Sequence, residues 1–184
     1  MEAVYVDVDP ENYYYLHPRP VYLLVSRGDN GYNVMAVSWV TPVSEEPPML
    51  AVAISREAYT LELLEKHREF TLNVVGSRHL DTVYKAGTLS GRRVDKWGML
   101  NLEPLESREV SVPGIKGAYA VYECRVREFI DAGECRLVLA DILAVHVLRE
   151  LYSRYGWELK KADVLLHFGG RVFTTPGRIL FAKK

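Results

Sequence analysis

The clearest pattern of apolar and polar positions lies between Asn33 and Asn73, in NVMAVSWVTPVSEEPPMLAVAISREAYTLELLEKHREFTLN. Two apolar runs of strand length, MAVSWV and MLAVAI, are rich in β-branched and aromatic residues, which suit a pleated and half-buried surface. Pro42 and the polar residues 44–48 separate them, because prolines do not sit in a central ladder. LELLEKH follows with Leu61, Leu64 and Arg68 at helical spacing. Glu62 falls in its first turn and Lys66, His67 and Arg68 in its last, as the helix dipole prefers. EFTLNVV then reads as the next strand.

The same reading extends in both directions. PVYLLVS predicts the first core strand, and GDNG after Arg27 predicts a tight hairpin turn. Ser77 opens a second helix over HLDTVYKAG, ended by Gly87. Residues 87–117 carry Gly91, Gly98, Pro104, Pro113 and Gly114 and read as a long loop. A loop of that length is functional or packs on something large, here near a cofactor or a subunit interface. AYAVYECRVREFI and CRLVLADILAVHVL, joined by DAGE, predict a long hairpin turning near Ala132 and Gly133. DVLLHFGG and a short strand over residues 171–174 close the chain. Residues 1–19, with Tyr13, Tyr14 and Tyr15, read as an arm that packs on the barrel or on a partner. Many antiparallel strands and two short helices make the chain mainly β, a closed barrel with short flanking helices.

Composition narrows this. A chain of 184 residues, 48% hydrophobic, supports one domain with a proper core. The net charge of −1 and the scattered Lys and Arg argue against a nucleic-acid or membrane-surface protein. No apolar run approaches the roughly 20 residues of a membrane span, and the first residues do not read as a signal peptide. A cytoplasmic protein is expected. The two cysteines, Cys124 and Cys135, lack metal-ligand spacing. They are not opposite one another in the expected hairpin, so no disulfide is expected, and Cys124 reads as a small core residue. His146 reads as structural. The dinucleotide fingerprint, the P-loop, HExxH and GxSxG are all absent.

One local feature carries chemistry. The start of the LELLEKH helix offers unpaired N–H groups and partial positive charge, which suit a phosphate. Thr60 can cap that helix or donate its hydroxyl to an anion. Ser55 and Arg56 add two donors, one of them charged. On the pattern alone, Thr60 is equally an ordinary cap and Arg56 a solvated side chain.

Together these stretches resemble the flavin reductase-like family, the FMN-binding split barrels. The resemblance rests on HPRPVYLLVS, on N-x-M-A-x-S-W in the first core hairpin, and on PP-x-L-x-V-x-I. It continues through S-R-x-x-x-T, EFTLNVV and SGRRVDKW to LLHFGGRVF, in the expected order along nearly the whole chain. It implies a Greek-key split barrel, a homodimer, and FMN near the interface. It places Asn33, Met35, Ala36, Val37, Ser38 and Trp39 along the flavin, with main-chain groups facing the ring. It gives the phosphate to Ser55, Arg56 and Thr60, and sets Asn73 and Val74 on the strand beside it. Lys96 matches a lysine that reaches FMN in some members, and His167 and Phe168 match a segment that closes over the cofactor. Without the family, Lys96 reads as an exposed lysine, His167 as structural and Trp97 as core.

One position departs from the family. Many reductase members carry a histidine where this chain has Cys135, near the nicotinamide. A thiol cannot replace an imidazole in stacking and hydrogen bonding. The resemblance implies an NAD(P)H:flavin oxidoreductase with NADH or NADPH as co-substrate and Cys135 and His167 as candidate catalytic residues, while the change to Cys135 counts against direct reduction by the nicotinamide. It also leaves room for a flavoredoxin-like electron carrier reduced by a redox protein partner. A barrel oxidase of the pyridoxamine-phosphate type fits EFTLN and PP-x-L less well.

Overall fold

The apolar runs pair into one seven-stranded antiparallel sheet. The computed structural model describes residues 3–154, 156–158 and 160–182. The strands are β1 (Tyr22–Gly28), β2 (Gly31–Val37), β3 (Val40–Glu45), β4 (Pro48–Ser55), β5 (Glu69–Val74), β6 (Ala120–Ala132) and β7 (Cys135–Val147). Their order across the sheet is β2-β1-β5-β6-β7-β4-β3. The two outermost strands, β2 and β3, are separated in the chain only by Ser38 and Trp39. The sheet must therefore curl until its edges meet at that corner. The Trp39 carbonyl accepts from Ala53 N–H at 2.9 Å and fixes the corner to β4. The result is the mainly-β barrel that the pattern predicts, in the split form that the resemblance implies, with its seam between β2 and β3.

Both faces of the sheet are covered. Leu24, Val52, Ile54, Phe70, Leu72 and Val138 fill the barrel interior together with Leu61 and Leu64 of α1 (Tyr59–His67). Leu23, Val25 and Val34 point the other way, onto Val83 and Ala86 of α2 (Leu80–Thr88) and onto Val112 and Ile115. Burying such side chains stabilises by roughly 1.5–3 kcal/mol each. This explains why β1 reads as a continuous apolar run rather than an alternating one.

Two helix boundaries differ from expectation. α1 begins at Tyr59 with Ala58 as its N-cap, so Thr60 lies inside the first turn and is not the cap. α2 runs through Gly87 to Thr88, with one separate helical turn before it at Ser77–His79. A left-handed glycine is not needed at its end, because the Lys96 ammonium donates to the carbonyls of Ala86 (3.0 Å) and Leu89 (3.1 Å).

The stretch 87–117 is ordered. It contains α3 (Lys96–Met99) and a short pairing of Pro104–Leu105 with Gly114–Ile115. Side chains of β5 and β6 pin it down. Thr71 donates to the Pro113 carbonyl at 2.8 Å, and the Asn73 amide oxygen accepts from Ile115 N–H at 2.7 Å. Glu123, fully buried, accepts from the N–H groups of Arg108 (2.9 Å), Glu109 (2.6 Å) and Val110 (3.2 Å) and meets His146 Nε2 at 2.5 Å.

The expected long hairpin is β6–β7, with Cys124 opposite Ile142 and Cys135 opposite Ala132. Both thiols are free. At the end of the chain β8 (Leu166–Gly169) and β9 (Val172–Thr174) form a small hairpin that pairs with Arg19–Pro20 of the N-terminal arm. No helix among the described residues is long and apolar enough to cross a membrane.

Candidate functional site

Strand β2 has β1 on one side and no ladder partner on the other. Alternate residues of an antiparallel edge strand present N–H and C=O outward, so this edge offers a row of main-chain donors and acceptors. Two cavities flank the strand. The first, about 490 Å³, lies between the Asp29–Asn30 turn, Asn33, Tyr59 and residues 91–96. The second, about 220 Å³, is bounded by Ala36, Val37 and Ser38, by Tyr84, Gly87 and Thr88 of α2, and by His167, Gly170 and Phe173. At about 3.3 Å per residue, the step from Asn33 to Val37 spans roughly 13 Å.

Asn33 forms the floor of the first cavity and is 5% exposed. Its amide nitrogen donates to the Thr60 hydroxyl at 2.9 Å and to Ser26 Oγ at 3.4 Å. Its amide oxygen is buried without a partner. A Cβ at residue 91 would stand 2.1 Å from that oxygen, so only glycine fits there. Because Thr60 Oγ accepts from Asn33, its own hydrogen is left to donate. No side chain caps α1, and Ser55 Oγ instead accepts from Glu57 N–H at 3.3 Å.

The charges around this cavity do not cancel. Asp29 is held by Lys66 at 2.7 Å, a contact that keeps its carboxyl below the usual range. Asp95 caps α3 by accepting from Gly98 N–H at 3.1 Å. Arg92 grips both carboxylate oxygens of Glu62 and lies over the Tyr59 ring. Arg93 and Lys96 remain as lining cations without a carboxylate partner among the described residues. Lys96 is 4% exposed, and burial pushes its pKa down to about 8. It is buried rather than exposed, and its ammonium holds the end of α2.

The other expected residues divide. Met35 and Trp39 are half-buried and line neither cavity; Met35 packs against the barrel interior, and Tyr13 meets the Trp39 ring edge-on with centroids 5.2 Å apart. His167 lines the second cavity, whereas Phe168 is half exposed and lines neither. Arg56 turns to the β6–β7 tip, pairing with Asp131 at 2.9 Å and donating to the Gly133 carbonyl at 3.1 Å. Asn73 is fully buried with each polar group partnered inside the chain, and Val74 belongs to a separate apolar cluster. Both lie in the core and line neither cavity. Cys135 is the ladder partner of Ser55 and is 9% exposed. Burial first, and Glu134 second, push its thiol pKa up, so the reactive thiolate is disfavoured. Tyr59, Tyr84, Thr88, Arg93 and Phe173 also line the cavities. Sequence order scatters them over more than a hundred positions, with no local spacing to join them.

The site thus combines an open strand edge, an uncapped helix start and a cationic cavity on an antiparallel split barrel. The model of the flavin reductase like domain matches residues 14–176, and the chain belongs to that family. It is 42% identical over 131 residues to an uncharacterised protein of Archaeoglobus fulgidus, covering 71% of this chain and 73% of that one. Among solved structures it is similar to a flavoredoxin from Methanosarcina acetivorans, with 28% identity, coverage of 98% and 95%, and a TM-score of 0.88. It is also similar to an FMN-binding protein from Thermus thermophilus with bound 1-cyclohex-2-enone. That match has 27% identity, full coverage of both chains and a TM-score of 0.83.

Proposed function

We propose that the chain binds FMN along β2 and acts as a flavin oxidoreductase supplied with hydride by NADH or NADPH. The observation that carries this is the buried Asn33 amide oxygen, which lacks a partner in a cavity of uncompensated positive charge. Leaving such an oxygen unpaired costs about 1–3 kcal/mol, and a polyol hydroxyl beside a phosphate answers both features. Asn33 would accept from the ribityl chain. Thr60 and the first N–H groups of α1 would hold the phosphate, with Arg93 at the rim. Ala36, Val37 and Ser38 would meet the ring with main-chain groups, and Tyr84, His167 and Phe173 would enclose it. Fixed donors there favour the negative charge that reduction places on the pyrimidine end of the flavin.

FMN held there would supply two-electron chemistry between a reduced nicotinamide as hydride donor and an electron acceptor. The flavoredoxin and the FMN-binding protein of the same fold support the choice of flavin. FMN is favoured over FAD because, among the described residues, one helix start and no second pyrophosphate cradle faces the cavity. Extraction of bound flavin and chromatography should give mostly FMN, and the protein should oxidise NADH or NADPH. A colourless protein that leaves added FMN fluorescence unquenched would sink the reading.

A second reading, an FMN electron carrier reduced by a protein partner, is favoured by Cys135. Its buried thiol stands where a ring is expected in the reductases. FMN reducible by dithionite but by neither nicotinamide would select it. A second copy of the chain is the proposed cover for Leu143, Val145 and Val147, which are exposed at alternate positions of β7. Light scattering should then give twice the 21.0 kDa chain mass.

A further inference from the structure

The N-terminal arm is tied to the wall of the second cavity by several independent contacts. Tyr13 meets Trp39 edge-on. Tyr14 lies so close to Gly169 that a Cβ there would come within 3.0 Å of its ring. His17 Nδ1 donates to the His167 carbonyl at 3.0 Å, and the two rings stand edge-to-face at 5.5 Å. Arg19 and Pro20 then pair with His167 and Leu166. The His167 ring is held in turn by the Gly170 carbonyl at Nε2, 3.3 Å away, and by Phe173, with ring centroids 5.0 Å apart.

β8 and β9 are four and three residues long, and among the described residues their only ladder partner beyond each other is the two-residue strand of the arm. A hairpin of that size has little stability of its own, so its place over the cavity depends on what the arm supplies. Among the described residues, His17 supplies the side-chain hydrogen bond between arm and hairpin. Because a carbonyl only accepts, Nδ1 must carry the proton, which fixes the tautomer. The Asn33–Thr60 end of β2 lies roughly 13 Å away along the strand and takes no residue from the arm.

We propose that His17 is a positioning residue for the molecule that exchanges electrons with the ring end of the site. It holds His167 and the β8–β9 hairpin as the outer wall beside Ala36, Val37 and Ser38. This rests on reading the second cavity as the ring end of an FMN site. The molecule concerned is a flat heterocycle able to lie against that ring, the reduced nicotinamide being the probe. His17 sets its affinity and leaves phosphate binding alone.

The test compares the full chain with His17→Ala and His17→Asn, whose amide nitrogen can take the place of Nδ1. FMN affinity is read by fluorescence quenching, KM and kcat with NADH and NADPH, and the hydrogen bond at the His167 carbonyl carbon by carbon-detected NMR of the flavin-free protein. Loss of one hydrogen bond should raise KM about fivefold in His17→Ala, with FMN affinity within about twofold. The His167 carbonyl signal should shift, and His17→Asn, which restores a donor to that carbonyl, should recover both KM and signal. An unchanged KM, an equal loss of FMN affinity, or an Asn variant no better than Ala overturns the proposal. If the unaltered protein binds FMN but oxidises neither nicotinamide, the hydride reading fails. If it does not bind FMN, the flavin reading fails. In both cases the NMR signal decides the positioning role, and an unmoved His167 signal in His17→Ala overturns it.

Discussion

The side-chain amide nitrogen of Asn33 lies 2.9 Å from the Thr60 hydroxyl, joining strand β2 to the first turn of α1. That bond orients two groups at once. It leaves the Thr60 hydrogen to donate and turns the Asn33 oxygen toward the backbone of Gly91 and the cavity.

Thr60→Val should therefore weaken FMN much more than riboflavin, because only FMN carries the anion. A hydrogen bond to a charged group contributes about 1.5–3 kcal/mol, or roughly ten- to a hundredfold in affinity. Asn33→Ala should weaken both flavins, since the ribityl chain is common to them. Fluorescence titration of the two ligands against both variants separates the cases. An equal loss of both ligands in Thr60→Val would put the phosphate elsewhere.

Cys135→His should raise kcat/KM for NADH or NADPH several-fold, with FMN affinity nearly unchanged. Restoring a ring contact and a hydrogen bond is worth about 1–3 kcal/mol. The position is 9% exposed, so the larger ring also risks overpacking. Melting temperature and hydride-transfer kinetics belong on the same sample. A destabilised variant with no kinetic gain would show that Cys135 serves only packing beside Ser55.

Lys96 gives a prediction in alkaline solution. Burial holds its pKa at about 8 in the fold, below the ordinary 10.5. Between those values the unfolded chain binds the extra proton, so stability rises with pH across that window and the penalty is full below pH 8. Lys96→Met should flatten the rise. Urea unfolding of both proteins at about pH 7.5 and 9.5 isolates the contribution, because other groups titrate alike in each. Identical slopes would mean that Lys96 keeps its proton throughout.

Glu123 gives the opposite limb. Burial pushes its pKa up, but the N–H groups of Arg108 and Glu109 and the His146 ring outweigh it, so the carboxyl is held below its usual 4.5. Its contribution is present above that value and is lost as pH falls through the folded pKa. Glu123→Gln keeps acceptor capacity without charge and should blunt the acid-induced loss of stability. Glu123→Ala leaves three main-chain N–H groups unpaired at about 1–3 kcal/mol each. At roughly 2–4 °C per kcal/mol for a chain of this size, the melting point should fall by about 10 °C or more. A melting point within a few degrees of the unaltered protein would show that the loop 103–117 is held by its apolar contacts instead.

The strands, the hairpins and both principal helices were legible because each carries its own period and its own punctuation. MAVSWV, MLAVAI and FTLNVV are short, branched and bounded by breakers, and they become β2, β4 and β5. The anchoring of 103–117 was not legible. Glu123 sits among the charged residues of AYAVYECRVREFI, where local pattern cannot tell a solvated carboxylate from one that gathers three distant N–H groups. Lys96 was equally opaque, since its partners Ala86 and Leu89 belong to the preceding helix end. Family resemblance drew attention to Asn33 and Thr60, and the structure joins the two by a hydrogen bond. It could not show that Arg56 turns to Asp131 or that Asn73 spends its amide on Leu23 and Ile115.

The unpaired edge of β2 has an evolutionary consequence. Recognition by main-chain groups places few demands on side-chain identity, so Tyr32, Val34 and Ala36 are constrained mainly in bulk and in the strand they must maintain. Substitutions there that preserve extended backbone should leave the ligand contacts in place. Chemistry can then vary through the walls, at positions such as Tyr84 and Phe173, without rebuilding the strand beneath.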